Sequence, residues 1–215
     1  MEQIAHIETP FKEKFGVPRQ AGLVDYEARV VFEPGYRVPE AVRGLEEFDY
    51  IWLIWHFHAN PQTWSPTVRP PRLGGNKRVG VFASRSPFRP NPIGLSSVRL
   101  LRIEPGPVLV VSGADLVDGT PIFDIKPYVA YADSHPDARC GFAPEAPKRL
   151  AVEIAPEVAA TLPKEKLQLI ADAIACDPRP HYQHDPERIY KMKYDDYEVA
   201  FRVDEGKAFV ECLIV

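Results

Sequence analysis

Cysteine is scarce in this sequence, and long apolar runs are missing. The three cysteines, Cys140, Cys176 and Cys212, are an odd number at wide spacings, without a C-x-x-C pair. This pattern predicts neither a disulfide framework nor a zinc motif, and we expect buried, reduced thiols. The longest apolar run, residues 51–55, is far too short to span a membrane, and no signal-peptide pattern follows Met1. We therefore expect a soluble cytoplasmic protein without a membrane partner.

Three common motifs are also missing. No G-x-G-x-x-G follows a predicted strand, and no G-x-x-x-x-G-K-[ST] occurs. The sequence therefore predicts neither a Rossmann dinucleotide fold nor a P-loop. No G-x-S-x-G occurs either, so the nucleophile elbow of the α/β-hydrolases is excluded.

Acidic residues are missing from a long central segment. Between Ile51 and Ile103 there is no aspartate or glutamate, although the whole chain holds 30 acidic and 26 basic residues. A concentration of one charge sign favours an anionic partner. The alternative is a solvated face whose cations pair with carboxylates elsewhere in the fold. The eight cations of this segment are Arg69, Arg72, Lys77, Arg78, Arg85, Arg89, Arg99 and Arg102.

The pattern of strands and turns predicts a mainly β fold. The 23 prolines are about twice the usual share and favour loops and strand ends. Short β runs with turn signals between them predict a small closed or nearly closed β-barrel over residues 1–147. A small α+β C-terminal extension is predicted over residues 148–215, with a helix at about 163–175 and a terminal hairpin. The predicted barrel strands are residues 4–7, 28–32, 48–57, 79–83, 98–103 and 108–112.

Residues 85–94 suit a rigid binding loop. Three prolines fix the backbone there, which lowers the entropy lost when a ligand is held. Arg85 and Arg89 offer planar guanidinium groups that fit a carboxylate or a phosphate. Asn91 can both donate and accept hydrogen bonds. A plain surface loop has a similar composition, so a functional role stays open at this point.

Residues 115–128 form a second polar segment. Asp118, Asp124, Lys126 and Tyr128 fall at even offsets and share a face wherever the chain is extended. These carboxylates can serve as structural partners of the arginine-rich segment. Alternatively, they line a polar pocket in which a cationic ligand group meets carboxylates and an aromatic ring.

Two histidines and three tryptophans receive mainly structural interpretations. His56 and His58 lie two apart on a predicted strand, but their surroundings offer no further ligand, so no metal site is predicted. Trp52, Trp55 and Trp64 are interpreted as core or rim packing rather than as base-stacking surfaces.

Residues 69–78 are the best candidate for nucleic-acid binding. The segment has a proline-stiffened start, a Gly-Gly pair and four cations, Arg69, Arg72, Lys77 and Arg78. Cations on a flexible loop suit contact with backbone phosphates.

Four segments of the sequence resemble the TsaA-like (YaeB/TrmO) family. They are V-P-R-Q at 17–20, R-P-P-R-L-G-G-N at 69–76, the loop at 85–94 and the segment at 116–128. D-P-R-P-H-Y at 177–182 resembles the signature of the C-terminal extension in bacterial members. The resemblance covers nearly the full chain. It implies a small β-barrel that binds S-adenosyl-L-methionine without a Rossmann fold, as a homodimer.

The resemblance also implies a substrate and a cofactor pocket. The family methylates N6 of threonylcarbamoyl-adenosine at position 37, next to the anticodon, in threonine tRNAs. Its cofactor-binding positions correspond here to a scattered set of side chains. They are Pro18, Arg19, Gln20, His58, Ala59, Arg85, Leu95, Asp115, Leu116, Val117 and Asp118.

Roles in the reaction follow from chemistry together with the resemblance. Asp118 is our candidate general base, while Asn91 and Lys126 orient the base or stabilise developing charge. The alternatives are a non-catalytic RNA-binding β-barrel and a methyltransferase that acts on a small molecule. The residues expected to contact tRNA are Arg69, Arg72, Lys77, Arg78, Arg89 and Arg179.

Overall fold

A computed structural model describes residues 1–61, 63–180, 183 and 185–214. Within these residues, six antiparallel strands form the N-terminal part of the fold: β1 (Ala5–Glu8), β2 (Glu27–Phe32), β3 (Tyr50–His56), β6 (Ile93–Glu104), β7 (Val108–Ser112) and β8 (Pro121–Pro127). They close into a barrel in the order β1-β2-β7-β6-β3-β8. The predicted mainly β fold and closed barrel are confirmed.

Alternation of apolar and polar residues explains how the barrel wall forms. In β2, Ala28, Val30 and Phe32 are buried while Glu27 and Arg29 face solvent. This period of two is the signature of a strand with one buried face. Pairing of β1 with both β2 and β8 closes the sheet, so that no barrel edge is left open to another chain.

The long connection between β3 and β6 holds most of the cationic segment. A short hairpin, β4 (Thr67–Val68) with β5 (Val79–Gly80), lies in it. The predicted barrel strand at 79–83 was wrong: β5 pairs with β4 outside the barrel, and a 3-10 turn at Val81–Ala83 follows it. The predicted strand at 98–103 is too short, because β6 begins at Ile93, directly after the proline-rich loop.

The C-terminal part is a second, four-stranded sheet with short helices. Its elements, which follow the barrel, are α1 (Ala130–Asp133), β9 (Ala151–Ile154), α2 (Pro156–Ala159), α3 (Lys164–Ala175), β10 (Tyr190–Tyr194), β11 (Tyr197–Asp204) and β12 (Lys207–Ile214). The strand order is β10-β11-β12-β9, with β9 parallel to β12. The predicted helix and terminal hairpin are confirmed, and α3 buries Leu167, Ile170 and Ile174. His181 and Tyr182 of the D-P-R-P-H-Y segment and Val215 of the predicted last strand lie outside the described residues.

Close contacts join the extension to the barrel. The ring of Phe11 meets that of Tyr194 edge to face, with centroids 5.6 Å apart. The N–H of Asp195 donates to the carbonyl oxygen of Pro10 at 2.7 Å. At Gly16, which has φ of +98°, a Cβ would lie 2.4 Å from the sulfur of Met192. The chain that follows β1 is therefore held against β10.

The burial of the cysteine thiols and the length of the helices can be compared with what the sequence predicted. Cys140 and Cys212 are exposed and Cys176 is half-buried, so the expected burial of the thiols was wrong. All three thiols are free. In the part of the chain that the structure describes, no helix is long and apolar enough to cross a membrane.

Candidate active site

A cavity of about 570 Å³ lies at one end of the barrel. Because β3 and β6 are antiparallel, the end of β3 meets the start of β6, and His56 pairs with Ile93. The start of β8 and the segment after β7 reach the same end. The loop after β1 and the proline-rich loop before β6 complete the wall. This volume suits a cofactor-sized ligand.

The cavity brings together nine of the eleven residues predicted to bind the cofactor. Leu116 is the first exception, since its side chain is only 1% exposed and belongs to the barrel core. Asp118 is the second exception, because it lies outside the cavity. The nine lining residues are Pro18, Arg19, Gln20, His58, Ala59, Arg85, Leu95, Asp115 and Val117.

Asp115 is the acidic residue of the cavity wall; none of the other described lining residues is acidic. Its Oδ1 accepts a hydrogen bond of 2.5 Å from the hydroxyl of Ser96, which itself accepts one of 2.9 Å from the indole N–H of Trp55. Burial raises the pKa of Asp115, while the bond from Ser96 and the charge of Arg85 act in the opposite direction. The site therefore holds a carboxylate in poorly solvated surroundings, where a cationic ligand group is strongly favoured.

Gly94 allows the indole of Trp55 to occupy its position. The two residues face each other across β6 and β3. A Cβ at position 94 would lie 2.2 Å from Cε2 of the indole, which is far inside van der Waals contact. The requirement for glycine here is therefore a matter of space at the cavity floor.

Two arginines line the same cavity as Asp115. Nη1 of Arg85 donates to the side-chain oxygen of Gln20. Nη2 of Arg19 donates to the carbonyl oxygens of Asp177 and Arg179, at 3.2 and 2.8 Å. Burial lowers the pKa of Arg19, and the negative charge of Asp177 opposes this shift. A planar guanidinium pair of this kind suits a carboxylate or phosphate.

The two histidines do not share a strand face, which corrects the sequence-based interpretation. Strand β3 ends at His56, and His58 lies in the following turn, where its N–H donates to the carbonyl of His56 at 2.8 Å. Burial lowers the pKa of His58, which keeps its imidazole neutral near pH 7. Among the described residues no group of three or more histidine, cysteine or acidic side chains could hold a metal ion.

The three residues predicted to be catalytic do not line the cavity. Asp118 accepts hydrogen bonds from the N–H of Thr9 at 2.8 Å and from Nζ of Lys12 at 2.9 Å. Lys126 forms an ion pair of 3.0 Å with Asp124 on the outer barrel wall. Asn91 is exposed, and its carbonyl accepts the N–H of Ile93. The described contacts therefore do not support these three assignments, because Asp118 and Lys126 have ionic partners outside the cavity and Asn91 is exposed outside its lining.

The cationic segment divides between the two alternatives that its sequence left open. Arg102 makes a bidentate bond to Glu27 and contacts Glu104, as expected of a structural cation. By contrast, the hairpin cations lie within 4.0 Å of no carboxylate in the described chain. These are Arg69, Arg72, Lys77 and Arg78, and all four are exposed.

Two further candidate tRNA contacts have different surroundings. Arg89 lines the cavity and donates to the carbonyl oxygens of Val81 and Ser84. Arg179 makes a bidentate ion pair with Asp177 at 2.8 and 3.0 Å, and its side chain is 13% exposed. Its hydrogen bond with Asp177 raises the pKa of Arg179. Its surroundings are those of a structural residue, so we withdraw the assignment to tRNA.

Sequence reasoning missed Ser96, which supports Asp115 from beneath the cavity wall, and several lining residues. Ser96 alternates with outward residues of β6, and this period of two gives an inward polar position that could have been found. Lys14 and Asn60 lie in irregular loops that no periodic pattern marks.

The fold and cavity define a closed-barrel protein with a site for a small ligand and a cation-rich hairpin at residues 69–78. Residues 6–134 match the family model of the tRNA-methyltransferase O N-terminal domain, and residues 147–214 match that of the TrmO C-terminal domain. The chain therefore belongs to the tRNA-methyltransferase O (TrmO) family, which confirms the resemblance stated above.

Two relatives and one solved structure are similar over most of the chain. A tRNA (adenine(37)-N6)-methyltransferase of Eikenella corrodens is 53% identical over 171 residues, covering 78% of this chain and 97% of the relative. The Escherichia coli K12 protein of the same name is 45% identical over 219 residues, covering 95% and 93%. A crystal structure of TrmO superposes with a TM-score of 0.81 at 35% identity, covering 99% of this chain and 97% of the other.

Proposed function

We propose that this protein transfers a methyl group from S-adenosyl-L-methionine to N6 of the adenine at position 37 of tRNA. The observation that carries the proposal is the pairing of two surfaces. The cavity is lined by Arg19, Arg85 and Asp115, while the hairpin exposes four cations that form no ion pair with any carboxylate among the described residues. A zwitterionic sulfonium cofactor fits the cavity, and an RNA backbone fits the cationic hairpin.

The lining residues fit the cofactor's charged groups. Arg85 and Arg19 would hold its carboxylate, with Gln20 fixing the guanidinium of Arg85. Asp115 and the indole of Trp55 would favour the sulfonium charge, since carboxylates and aromatic faces both stabilise cations. When bound, the cofactor supplies an electrophilic methyl group. The protein's contribution is then mainly to orient the two reactants.

The reaction needs little proton chemistry. The N6 atom forms a bond to the methyl carbon as the carbon–sulfur bond breaks, and the N6 proton then leaves to solvent. We propose that the adenosine carries an N6-threonylcarbamoyl group, in threonine tRNAs. The carbonyl substituent would make the N6 proton more acidic, so no strong base is required.

The proposal extends to organisation and location. We propose that the barrel domain (1–147) holds the catalytic site, that the extension (148–215) supports it, and that the protein works in the cytoplasm. We also propose a homodimer, because the neighbouring strands β3 and β6 expose large apolar side chains outside the cavity lining: Tyr50 is 45% and Leu101 38% exposed. Exposed apolar surface favours a protein partner. Sedimentation velocity at micromolar concentration tests this, and a monomer would contradict it.

Nucleoside mass spectrometry tests the reaction itself. Threonine tRNA from a deletion strain should lack methylated threonylcarbamoyl-adenosine, and complementation with this chain should restore it. A strain complemented with Asp115→Ala is the matched control and should resemble the deletion. Equal methylation in the deletion and complemented strains would overturn the proposal.

Two other functions make different predictions. A non-catalytic RNA-binding barrel would not bind S-adenosyl-L-methionine in calorimetry, and the cavity around Asp115 would have no use. A methyltransferase for a small molecule would bind the cofactor but not tRNA. The cations of residues 69–78, which are exposed and form no ion pair within the described residues, favour the tRNA substrate over this second alternative.

A further inference from the structure

Beside the cavity, the cationic segment between β3 and β6 exposes aromatic rings that have no role in the proposed reaction. Phe82 is 76% exposed and Trp64 is 57% exposed, which corrects the interpretation of Trp64 as packing. A single exposed ring is ordinary, but both of these rings lie near Arg89, a residue of the cavity wall. Both rings lie in a segment that has no acidic residue between Ile51 and Ile103.

Arg89 connects these rings to the cavity. Its guanidinium carbon lies 5.8 Å from the ring centroid of Phe82, and its side chain lines the main cavity. Arg89 also lines a second cavity of about 50 Å³ together with Trp64. The Phe82 ring therefore lies beside a side chain that lines the main cavity.

The backbone beneath Phe82 is well supported. The N–H of Val81 donates to the carbonyl oxygen of Pro66 at 3.0 Å, and that of Ser84 donates to Val81 at 3.1 Å. Val81 is itself buried, with 1% exposure. Nη1 of Arg89 donates to the carbonyl oxygen of Ser84 at 2.7 Å. An exposed ring on such a rigid turn loses little entropy when a planar ligand stacks on it.

We propose that Phe82, backed by Arg89, is a stacking surface for an unpaired base of the tRNA substrate next to the target adenosine. Single-stranded bases stack on aromatic side chains without sequence preference, and a neighbouring arginine adds a cation–π contribution. The charge of the loop favours RNA as the occupant. The inference rests on the proposed tRNA substrate and adds a positioning surface to it.

Substitutions at Phe82 separate stacking from charge. Phe82→Leu keeps an apolar side chain but removes the ring, and it should weaken tRNA binding about 5- to 100-fold while the slope of log K against log salt stays the same. Phe82→Tyr should bind tRNA as the unmodified protein does. Tyr131→Leu is the matched control, since Tyr131 is 93% exposed on α1, and it should leave tRNA affinity unchanged.

A second measurement reports stacking directly. In Phe82→Trp, the added fluorescence relative to the unmodified protein should be quenched by an anticodon stem-loop and not by S-adenosyl-L-methionine. Wild-type tRNA affinity for Phe82→Leu would overturn the inference. So would a change in its sedimentation coefficient, because that change would assign Phe82 to a contact between protein copies. If the unmodified protein neither binds nor methylates tRNA, the proposed function fails instead, so the two failures are distinguishable.

Discussion

Replacing Gly94 by alanine tests whether space at the cavity floor is limiting. The added Cβ would lie 2.2, 2.4 and 2.5 Å from Cε2, Cζ2 and Cδ2 of the Trp55 indole. These are ring atoms of a buried side chain, so the whole indole must move. Overpacking of this kind costs about 1–3 kcal/mol. A displaced indole also loses its 2.9 Å bond to Ser96, which adds about 1 kcal/mol.

The expected cost can be measured as a melting temperature. For a chain of this size, about 1 kcal/mol shifts the midpoint by about 2–4 °C, so Gly94→Ala should melt roughly 4–15 °C lower. Because Ser96 also donates to Asp115, the affinity for S-adenosyl-L-methionine should fall as well. Differential scanning calorimetry and titration calorimetry give the two quantities.

Gly80→Ala provides the matched control. A Cβ at Gly80 has no atom within 4 Å, and its φ of −58° is ordinary for alanine. That variant should melt at or slightly above the wild-type temperature, because alanine restricts the unfolded chain. In a Trp55→Leu background, Gly94→Ala should cost less than it does alone. An unchanged melting temperature and cofactor affinity for Gly94→Ala would refute the reasoning.

Three further predictions concern charged residues. Arg85→Ala should weaken S-adenosyl-L-methionine binding about tenfold, because a charge-assisted contact to its carboxylate is lost; unchanged affinity in calorimetry would contradict this role. Asp118→Asn should lower stability by about 1 kcal/mol through its contacts with Lys12 and the backbone, with kcat unchanged, and a large loss of kcat at wild-type stability would restore the general-base assignment. Arg72→Ala with Lys77→Ala should lower the salt slope of tRNA binding by about 1 to 2, whereas an unaltered slope would make these cations a solvated face.

Local patterns predicted the barrel because most of its strands are short runs of apolar residues with turn residues between them. Residues 108–111 are apolar and three of them are valine, and β7 spans Val108–Ser112 as expected. The strands at 151–154 and 190–194 were missed. Strand β10 alternates lysine with apolar residues over only five positions. Strand β9 has only four residues and pairs with β12, far along the chain. Such long-range pairing is not visible in a local window of sequence.

The choice between Asp115 and Asp118 was also beyond local reasoning. Both carboxylates lie in the connection between β7 and β8, where Gly113 and Gly119 have φ of +78° and +73°. These left-handed turns break the alternation that an extended segment would keep, so even offsets no longer mean a shared face. Tertiary geometry therefore sends one carboxylate into the cavity and the other towards Lys12.

The bonds from Arg19 to the carbonyl oxygens at 177 and 179 make the cavity and the extension thermodynamically linked. A ligand that holds Arg19 more firmly also favours the arrangement of residues 177–180 in which these two bonds form. By reciprocity, anything that docks on that loop and orders it must tighten cofactor binding by the same factor. Amide hydrogen exchange at Asp177 and Arg179 should therefore slow when the cofactor binds, although these amides lie in the C-terminal part of the chain and not in the barrel.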